Sequence, residues 1–319
     1  MNKLLSHHFF WKHAVRNGFF SKPTRVLYRK SMALVRFTYV GMLMLLFVHF
    51  YAGNNAGTQL MYHPLWPVQF LKSVPVNQLY LFFHVVLFLV FSFTAMYPRK
   101  VGWRLLSFVF YFMYVAFLNS FGKINHSLHL PLILLFCLVF VPDKKTNQYR
   151  EKTILAVATA QFFVLFAYSL TGFWKVFWGV IEFFTKDVSL FSPLTMRNII
   201  IRDYQLTSPT LVGEFLLEYY IIAWWVYLVA VYVEFFSVLV FFKPQLHRIW
   251  GCLLLGLHFG THLILNVNMH PAPLVLGVLF INSPFYKKTS VLNSIKTLPI
   301  IDWLTFFTQK FLQKKPNNF

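Results

Sequence analysis

A single lysine, Lys175, stands near the end of a long apolar run that begins at Thr153. A charged side chain in the hydrocarbon region of a membrane costs at least roughly 2.5 to 3.5 kcal/mol, so an intramembrane lysine is a candidate functional group. A lysine that has lost its proton is a general base, and the apolar neighbours Phe173, Trp174 and Phe177 would favour the neutral amine. The alternative is a lysine near a helix end, whose methylenes cross the apolar zone while its ammonium lies among the headgroups.

Further polar residues are expected at the same membrane depth as this lysine. Asn125 and His126 occupy a turn between two apolar runs, and Glu218 lies at the start of a later run. His258 and His262 are one helical turn apart on one face of a helix. Polar groups that converge from distant parts of the chain are what a site requires. Structural alternatives are a helix N-cap for Asn125 and a complement to the helix dipole for Glu218.

Four further polar residues lie inside apolar runs but at scattered depths, and they are interpreted as interhelical hydrogen-bond partners instead of site residues: His49, His84, His129 and Glu234.

The histidine spacing also permits a metal site. His258 and His262 match the HxxxH spacing of di-iron membrane desaturases, and His126 with His129 would form a second pair. A site of that class needs many more histidines, clustered at one surface and supported by carboxylates, and this clustering is lacking. The two cysteines fall inside apolar runs, so neither a disulfide framework nor a cysteine zinc site is available. We therefore expect no metal.

The composition defines the elements that must position these residues. The chain has 319 residues, of which 58% are hydrophobic and 12% charged, with 40 phenylalanines. Several apolar runs exceed the roughly 18 residues needed to cross a bilayer, and they lack the alternation of barrel strands. The sequence therefore predicts an all-α polytopic membrane bundle in contact with lipid. The net charge of +20 is assigned to one membrane face, and no nucleic-acid partner is expected.

Hydropathy predicts about eight transmembrane helices, near residues 31–52, 79–97, 103–122, 127–141, 153–180, 214–242, 249–266 and 271–282. The last of them is short enough to be re-entrant. With eight spans, 22 of the 29 Lys and Arg residues fall on one face and five on the other. The positive-inside rule then predicts cytoplasmic N- and C-termini, a multi-pass protein of the plasma membrane, and an extracytoplasmic position for the polar cluster.

Three regions follow from this pattern. Residues 1–30 form a basic interfacial segment without a cleavable signal peptide, residues 31–286 form the transmembrane domain, and residues 287–319 form a basic amphipathic tail. Two longer connections, 53–78 and 181–213, are expected on the outer face as partly ordered caps.

Three short passages also carry a family resemblance. They are Lys123-Ile-Asn-His-Ser127, Tyr168-Ser-Leu-Thr-Gly-Phe-Trp-Lys-Val176, and Ser283-Pro-Phe285 after the two histidines of the seventh run. In order and predicted membrane position they resemble the membrane domain of vitamin K-dependent γ-glutamyl carboxylase and the wider group of HTTM (horizontally transferred transmembrane) domain proteins. The resemblance covers roughly residues 31–286.

The resemblance implies roles for these residues. Lys175 would be the base that deprotonates vitamin K hydroquinone or menaquinol, with Asn125 and His126 as polar supports and His262 as the counterpart in the seventh span. The remaining candidates would line a pocket for substrate or quinol: His258, Glu218, Phe173, Trp174 and Phe177.

The family reaction uses oxygen to form a quinone epoxide and a base strong enough to remove a glutamate γ-proton for carboxylation. This chain has Trp174 beside Lys175 where the animal enzyme has paired lysines, and no large extracytoplasmic domain is expected between its spans. We therefore expect quinol-dependent oxygenase or carboxylase-like chemistry, acting on a secreted peptide or a glutamate-containing protein. The alternative is a non-catalytic maturation, export or immunity factor for a small secreted peptide, and transport is a third reading.

Overall fold

The computed structural model describes residues 22–52, 62–122, 124, 126–205, 207–267 and 270–302. These residues form helices and connecting turns and contain no strand, which confirms the all-α prediction. Asn125, the predicted interfacial segment before residue 22 and the tail after residue 302 lie outside the described residues. The helices are α1 (Thr24–Ala52), α2 (Val76–Met96), α3 (Val101–Leu118), α4 (His129–Val139), α5 (Tyr149–Thr185), α6 (Leu194–Tyr204), α7 (Leu211–Glu218), α8 (Tyr220–Phe241), α9 (His247–Leu265), α10 (Pro271–Leu276) and α11 (Val291–Lys296).

Six of the described helices are long and apolar enough to cross a membrane: α1, α2, α3, α5, α8 and α9. Helix α2 shows why, because its 21 residues include no Asp, Glu, Lys or Arg and extend about 32 Å at 1.5 Å per residue. Large apolar side chains remain exposed on its surface, among them Phe88 at 57%. Such a surface suits lipid tails, and the protein is therefore a membrane protein.

The predicted spans at 127–141 and 271–282 are shorter helices. Helix α4 with its preceding 3-10 turn covers His126–Val139, and α10 with a following π-helical turn covers Pro271–Ile281. At 1.5 Å per residue these 11 to 14 residues extend about 16 to 21 Å, which is less than the roughly 30 Å hydrocarbon core. Helices at both positions are confirmed, and the count of eight crossing segments stays a prediction.

Two predicted helix boundaries are wrong. Helix α1 begins at Thr24, where the carbonyl of Pro23 accepts from Val26 and Leu27 N–H, so the end of the predicted basic segment 1–30 is helical. The run predicted as one helix over 214–242 is divided at Tyr219, whose backbone (φ −97°, ψ 54°) leaves the helical region. Glu218 therefore ends α7 instead of opening the long helix. Neither Gly nor Pro marks this break in the sequence.

The described chain forms two compact units, and α5 contributes residues to both. The first unit contains 22–164 and 267–284, and the second contains 165–266 and 285–302. In the first unit α1 packs on α2, α2 on α3 and α3 on α4, while α10 packs on α1 and α4. Gln161 fixes the π-helical turn there, since its side-chain amide donates to the Leu279 carbonyl at 2.5 Å and to Ser283 Oγ at 3.0 Å.

A fully buried arginine connects three segments of the first unit. Arg104, in the first turn of α3, donates through Nε to the Leu138 carbonyl at 2.9 Å and through its terminal nitrogens to the carbonyls of Pro98 and Val141. Leu138 lies in the last turn of α4 and Val141 follows its end, where carbonyls lack the full set of helical donors; the Leu138 carbonyl also accepts from Val141 N–H at 3.2 Å. The guanidinium therefore caps α4 and fixes the turn before α3. The charge pattern alone had assigned this arginine to a basic membrane face.

In the second unit, α6 and α7 pack against α8 and α9. Their shared core contains Met196, Ile200, Leu216, Ala223 and Ile264. The Thr210 hydroxyl accepts from Gly213 N–H and donates to the Ile264 carbonyl, so it caps the start of α7 and the end of α9. Ordered structure thus occupies much of the predicted outer connection 181–213.

Candidate functional site

An ion pair joins the two longest helices of the second unit. Lys175 Nζ on α5 donates to Glu234 Oε2 on α8 at 2.6 Å. The lysine side chain is 33% exposed, whereas the glutamate side chain is only 5% exposed. The carboxylate side chain is therefore enclosed by protein, whereas part of the lysine side chain remains exposed.

Small residues on α5 make this pair possible. Ser169, Gly172 and Lys175 recur every three residues and so lie on one face of the helix. A Cβ on Gly172 would lie 2.3 Å from the backbone nitrogen of Phe235, so the two helix backbones are in contact at this point. The Ser169 hydroxyl adds bonds to α8, donating to the Phe235 carbonyl at 3.0 Å and accepting from Val238 N–H at 2.8 Å. The contacts run from Ser169 with Val238 to Lys175 with Glu234, so residue numbers increase along α5 while those of the partners on α8 decrease. The two helices are therefore antiparallel.

Tyrosines surround the ion pair. The Tyr227 ring lies two turns before Glu234 on α8, and its centroid is 6.0 Å from Lys175 Nζ, within the range of a cation–π contact. On α5, Tyr168 lies two turns before the lysine, and its hydroxyl is 2.5 Å from His258 Nε2 on α9. Tyr168 and His258 are both buried. The charged pair and the tyrosine–histidine pair thus connect α5 to α8 and to α9.

His262 lies one turn beyond His258 on the same helix. Its Nδ1 atom is buried and has no hydrogen-bond partner among the described residues. A buried polar atom without a partner costs free energy comparable to a lost hydrogen bond. The imidazole therefore presents a free hydrogen-bonding position inside the second unit.

The predicted pocket aromatics form a separate surface. Phe173, Trp174 and Phe177 are each between 42% and 55% exposed, and their rings contact one another, with Trp174 and Phe177 centroids 5.4 Å apart. Phe173 and Phe177 are two residues away from Lys175, which corresponds to about 200° around the helix. The ammonium contacts Glu234 and Tyr227, whereas the aromatic surface lies on another side of α5 and faces outward.

The other sequence candidates are distributed over both units. His126 belongs to the first unit, where it is exposed, and its ring centroid is 5.2 Å from that of His129. Glu218 belongs to the second unit and is exposed at the end of α7. Among the described residues, no group of three or more His, Cys, Asp or Glu side chains could hold a metal ion.

Glu234 is the site residue that sequence reasoning missed. It was interpreted as an interhelical hydrogen-bond partner, which is confirmed, but not as the partner of Lys175. A signal was present in the sequence: Lys175 is the only charged residue in 153–180, and Glu234 is the only one in 219–242. Lone charges of opposite sign in two apolar runs lower each other's cost by pairing.

No protein-family model matches this chain, and no match is found among curated proteins or among solved structures.

The contact at Gly172 gives a first testable prediction. We expect Gly172→Ala to lower the free energy of unfolding by about 1 to 3 kcal/mol, because the added methyl meets backbone atoms of α8 that no side-chain rotation can displace. Gly256→Ala on α9 is the matched control, since a Cβ there meets nothing within 4 Å and alanine favours a helix. Thermal unfolding in detergent measures both. Equal melting temperatures for the two variants would contradict the close approach of the helices.

Proposed function

We propose that this membrane protein belongs to the carboxylase-like HTTM group and performs quinol- and oxygen-dependent chemistry, with Lys175 as the base. The observation that supports the proposal is the hydrogen bond between Lys175 and the enclosed Glu234. Both residues belong to the second unit, and the proposal rests on that unit alone.

The pair offers a way to obtain a neutral lysine inside a membrane. At 2.6 Å a proton can pass from Lys175 Nζ to Glu234 Oε2, which leaves an amine and a carboxylic acid without separated charges. A low-dielectric surrounding favours the neutral state over separated ions. Because the lysine is partly exposed and the glutamate is not, the amine remains accessible to an acidic hydroxyl while the carboxyl holds the first proton. Glu234 thus acts as a proton holder and Lys175 as a general base.

The residues of the second unit fit a quinol. The buried Nδ1 of His262 has no hydrogen-bond partner within the described part of the chain and suits a ring hydroxyl. The exposed aromatic surface of Phe173, Trp174 and Phe177, on another side of α5 from the lysine, suits an isoprenoid tail that extends around the helix. A bound vitamin K hydroquinone or menaquinol would supply two acidic hydroxyls and the reducing equivalents for oxygen. Lys175 would accept a hydroxyl proton, and His262 would orient the ring.

The distribution of basic residues supports an orientation in the membrane. With α4 and the 271–281 helix counted as crossings, the chain has eight membrane-spanning segments, and both termini lie on the same face. That face carries most of the Lys and Arg residues, so the positive-inside rule makes it the cytoplasmic one. The protein then lies in the plasma membrane with its lysine toward the extracytoplasmic side. A secreted peptide or a glutamate-containing protein would be the substrate for carboxylation.

The test is epoxide formation by membranes that contain the protein. Reduced vitamin K or menaquinol is supplied with oxygen, and wild type is compared with Lys175→Met/Glu234→Gln, which removes the base without leaving a buried charge. The matched control is Lys186→Met/Glu182→Gln, which removes the exposed pair at 2.9 Å. We expect epoxide from wild type and from the control but not from the first variant. Epoxide from all three proteins, or none from folded wild type, would refute the proposal.

The peptide-handling alternative has one observation in its favour. Leu211 lies near the end of the predicted outer connection 181–213, and Phe215 on α7 and Tyr219 just after α7 follow it at intervals of four residues. These three side chains are between 47% and 85% exposed and form an apolar ridge. Such a ridge suits an apolar peptide segment. If this role is the main one, Leu211→Ser/Phe215→Ser would abolish maturation of a secreted peptide, and the Lys175 variant would not.

A further inference from the structure

A basic cavity lies in the first unit, between α1 and the end of α2. Its volume is about 580 Å³, and it is lined on α1 by Met32, Ala33, Arg36 and Phe37 and on the other side by the turn from Met96 to Lys100. A volume of this size is typical of small-molecule sites. Its lining combines apolar side chains with three cations: Arg36, Arg99 and Lys100.

These three cations have no hydrogen bond or ion pair from their side chains to any other described residue, and all three are exposed. The contrast with Arg104 is clear, because that guanidinium is enclosed by carbonyls. The carboxylate of Asp143 accepts from Val101 N–H and lines a different cavity of about 490 Å³ together with Lys100. The 580 Å³ cavity thus has a concentrated positive charge and no acidic lining residue.

Arg36 shows which kind of anion the cavity suits. It lies 12 residues beyond Thr24, the first residue of α1, inside a helix that is long enough to span the membrane. A guanidinium within a spanning helix is stabilised when its long side chain reaches the interface and meets an anion. The turn after α2 lines the same cavity, so Arg36 lies level with a helix end, where lipid phosphates are found. Arginine forks bind phosphate oxygens in pairs.

We propose that this cavity binds the headgroup of an anionic membrane phospholipid. Arg36 and Arg99 contact the phosphate, Lys100 adds charge, and the acyl chains extend along Met32, Phe37 and Met96. Three cations favour a net negative headgroup over a zwitterionic one, and basic pockets between transmembrane helices are known to suit such lipids. This proposal does not depend on quinol chemistry in the second unit.

The test uses full-length protein in nanodiscs of phosphatidylcholine with increasing phosphatidylglycerol, and lipid binding is measured by native mass spectrometry and by the shift in melting temperature. We expect wild type to retain phosphatidylglycerol preferentially and to be stabilised by it. Arg36→Gln/Arg99→Gln should weaken that preference roughly tenfold or more, because each basic residue near an anionic membrane surface strengthens the attraction about fivefold and the variant removes two of them. The control Arg197→Gln/Arg202→Gln, which removes two arginines from α6, should keep it.

Two results would overturn the proposal. The first is an unchanged lipid preference in Arg36→Gln/Arg99→Gln that still unfolds cooperatively in phosphatidylcholine. The second is equal binding of soluble glycerol phosphate and of the lipid, which would identify a site for free phosphate esters. If the double variant does not fold, Lys100→Gln on the exposed turn replaces it and should weaken the preference to a smaller extent.

Discussion

Replacement of Arg104 by methionine is expected to lower the free energy of unfolding by about 3 to 5 kcal/mol, the largest effect of any single arginine in the described chain. The guanidinium is fully buried and donates to carbonyls of three residues, two of them at the end of α4. Without it, these carbonyls lose the hydrogen bonds of the guanidinium in a low-dielectric interior, and the Leu138 carbonyl keeps only backbone N–H donors. Thermal unfolding in detergent and the yield of folded protein measure the effect.

The control for this variant is Arg202→Met, which removes an exposed arginine from α6 and should change the melting temperature little. Arg104→Lys is expected to recover only part of the loss, because a single ammonium does not reproduce the planar fork of donors. If Arg104→Met melted at the same temperature as Arg202→Met, the guanidinium would not cap α4.

The second large effect concerns the ion pair of α5 and α8. We expect Lys175→Met alone to cost about 3 kcal/mol, at the low end for a broken buried pair, because one partner is a third exposed. Adding Glu234→Gln should restore the double variant to within about 1 kcal/mol of wild type, since no uncompensated charge remains. A double-mutant cycle of unfolding free energies measures this coupling.

The exposed pair Lys186–Glu182 provides the comparison, since surface pairs contribute about 0 to 1 kcal/mol and its cycle should show little coupling. Equal coupling in the two cycles would show that Glu234 is accessible to water. Epoxide formation tests the role of Glu234 independently of stability. A folded Glu234→Gln protein that forms no epoxide would show that the carboxyl group holds the proton. Full activity of that variant would show that the carboxyl group has no part in the mechanism.

The sequence was informative where one residue stands out against an apolar background. Lys175 was identified in this way, and the apolar runs identified the helices. Glu234 was set aside because its depth along the chain differed from that of the other candidates. Lys175 and Glu234 come together because the backbones of α5 and α8 are in contact at Gly172. A glycine in the sequence does not specify which helix will pack against it.

Other features depend on partners that one segment of sequence does not contain. Arg104 is one of several basic residues near a turn, and only the packing of α3 against the end of α4 distinguishes it from Arg99. The break at Tyr219 has no Gly or Pro to signal it. It accompanies the hydrogen bonds of Thr210, through which α7 is attached to the end of α9.

The two short apolar helices have a consequence for how the protein is made. During synthesis, a segment of 11 to 14 residues gains less from entering lipid than a full-length one, because its hydrocarbon-facing surface is smaller. The carbonyls at the end of α4 must also find a donor, and Arg104 belongs to the helix synthesised just before it. We therefore expect α4 to insert on an already inserted α3, and the 271–281 helix to enter last, against α1 and α4. Biogenesis is then sequential, with the long helices serving as the template for the short ones.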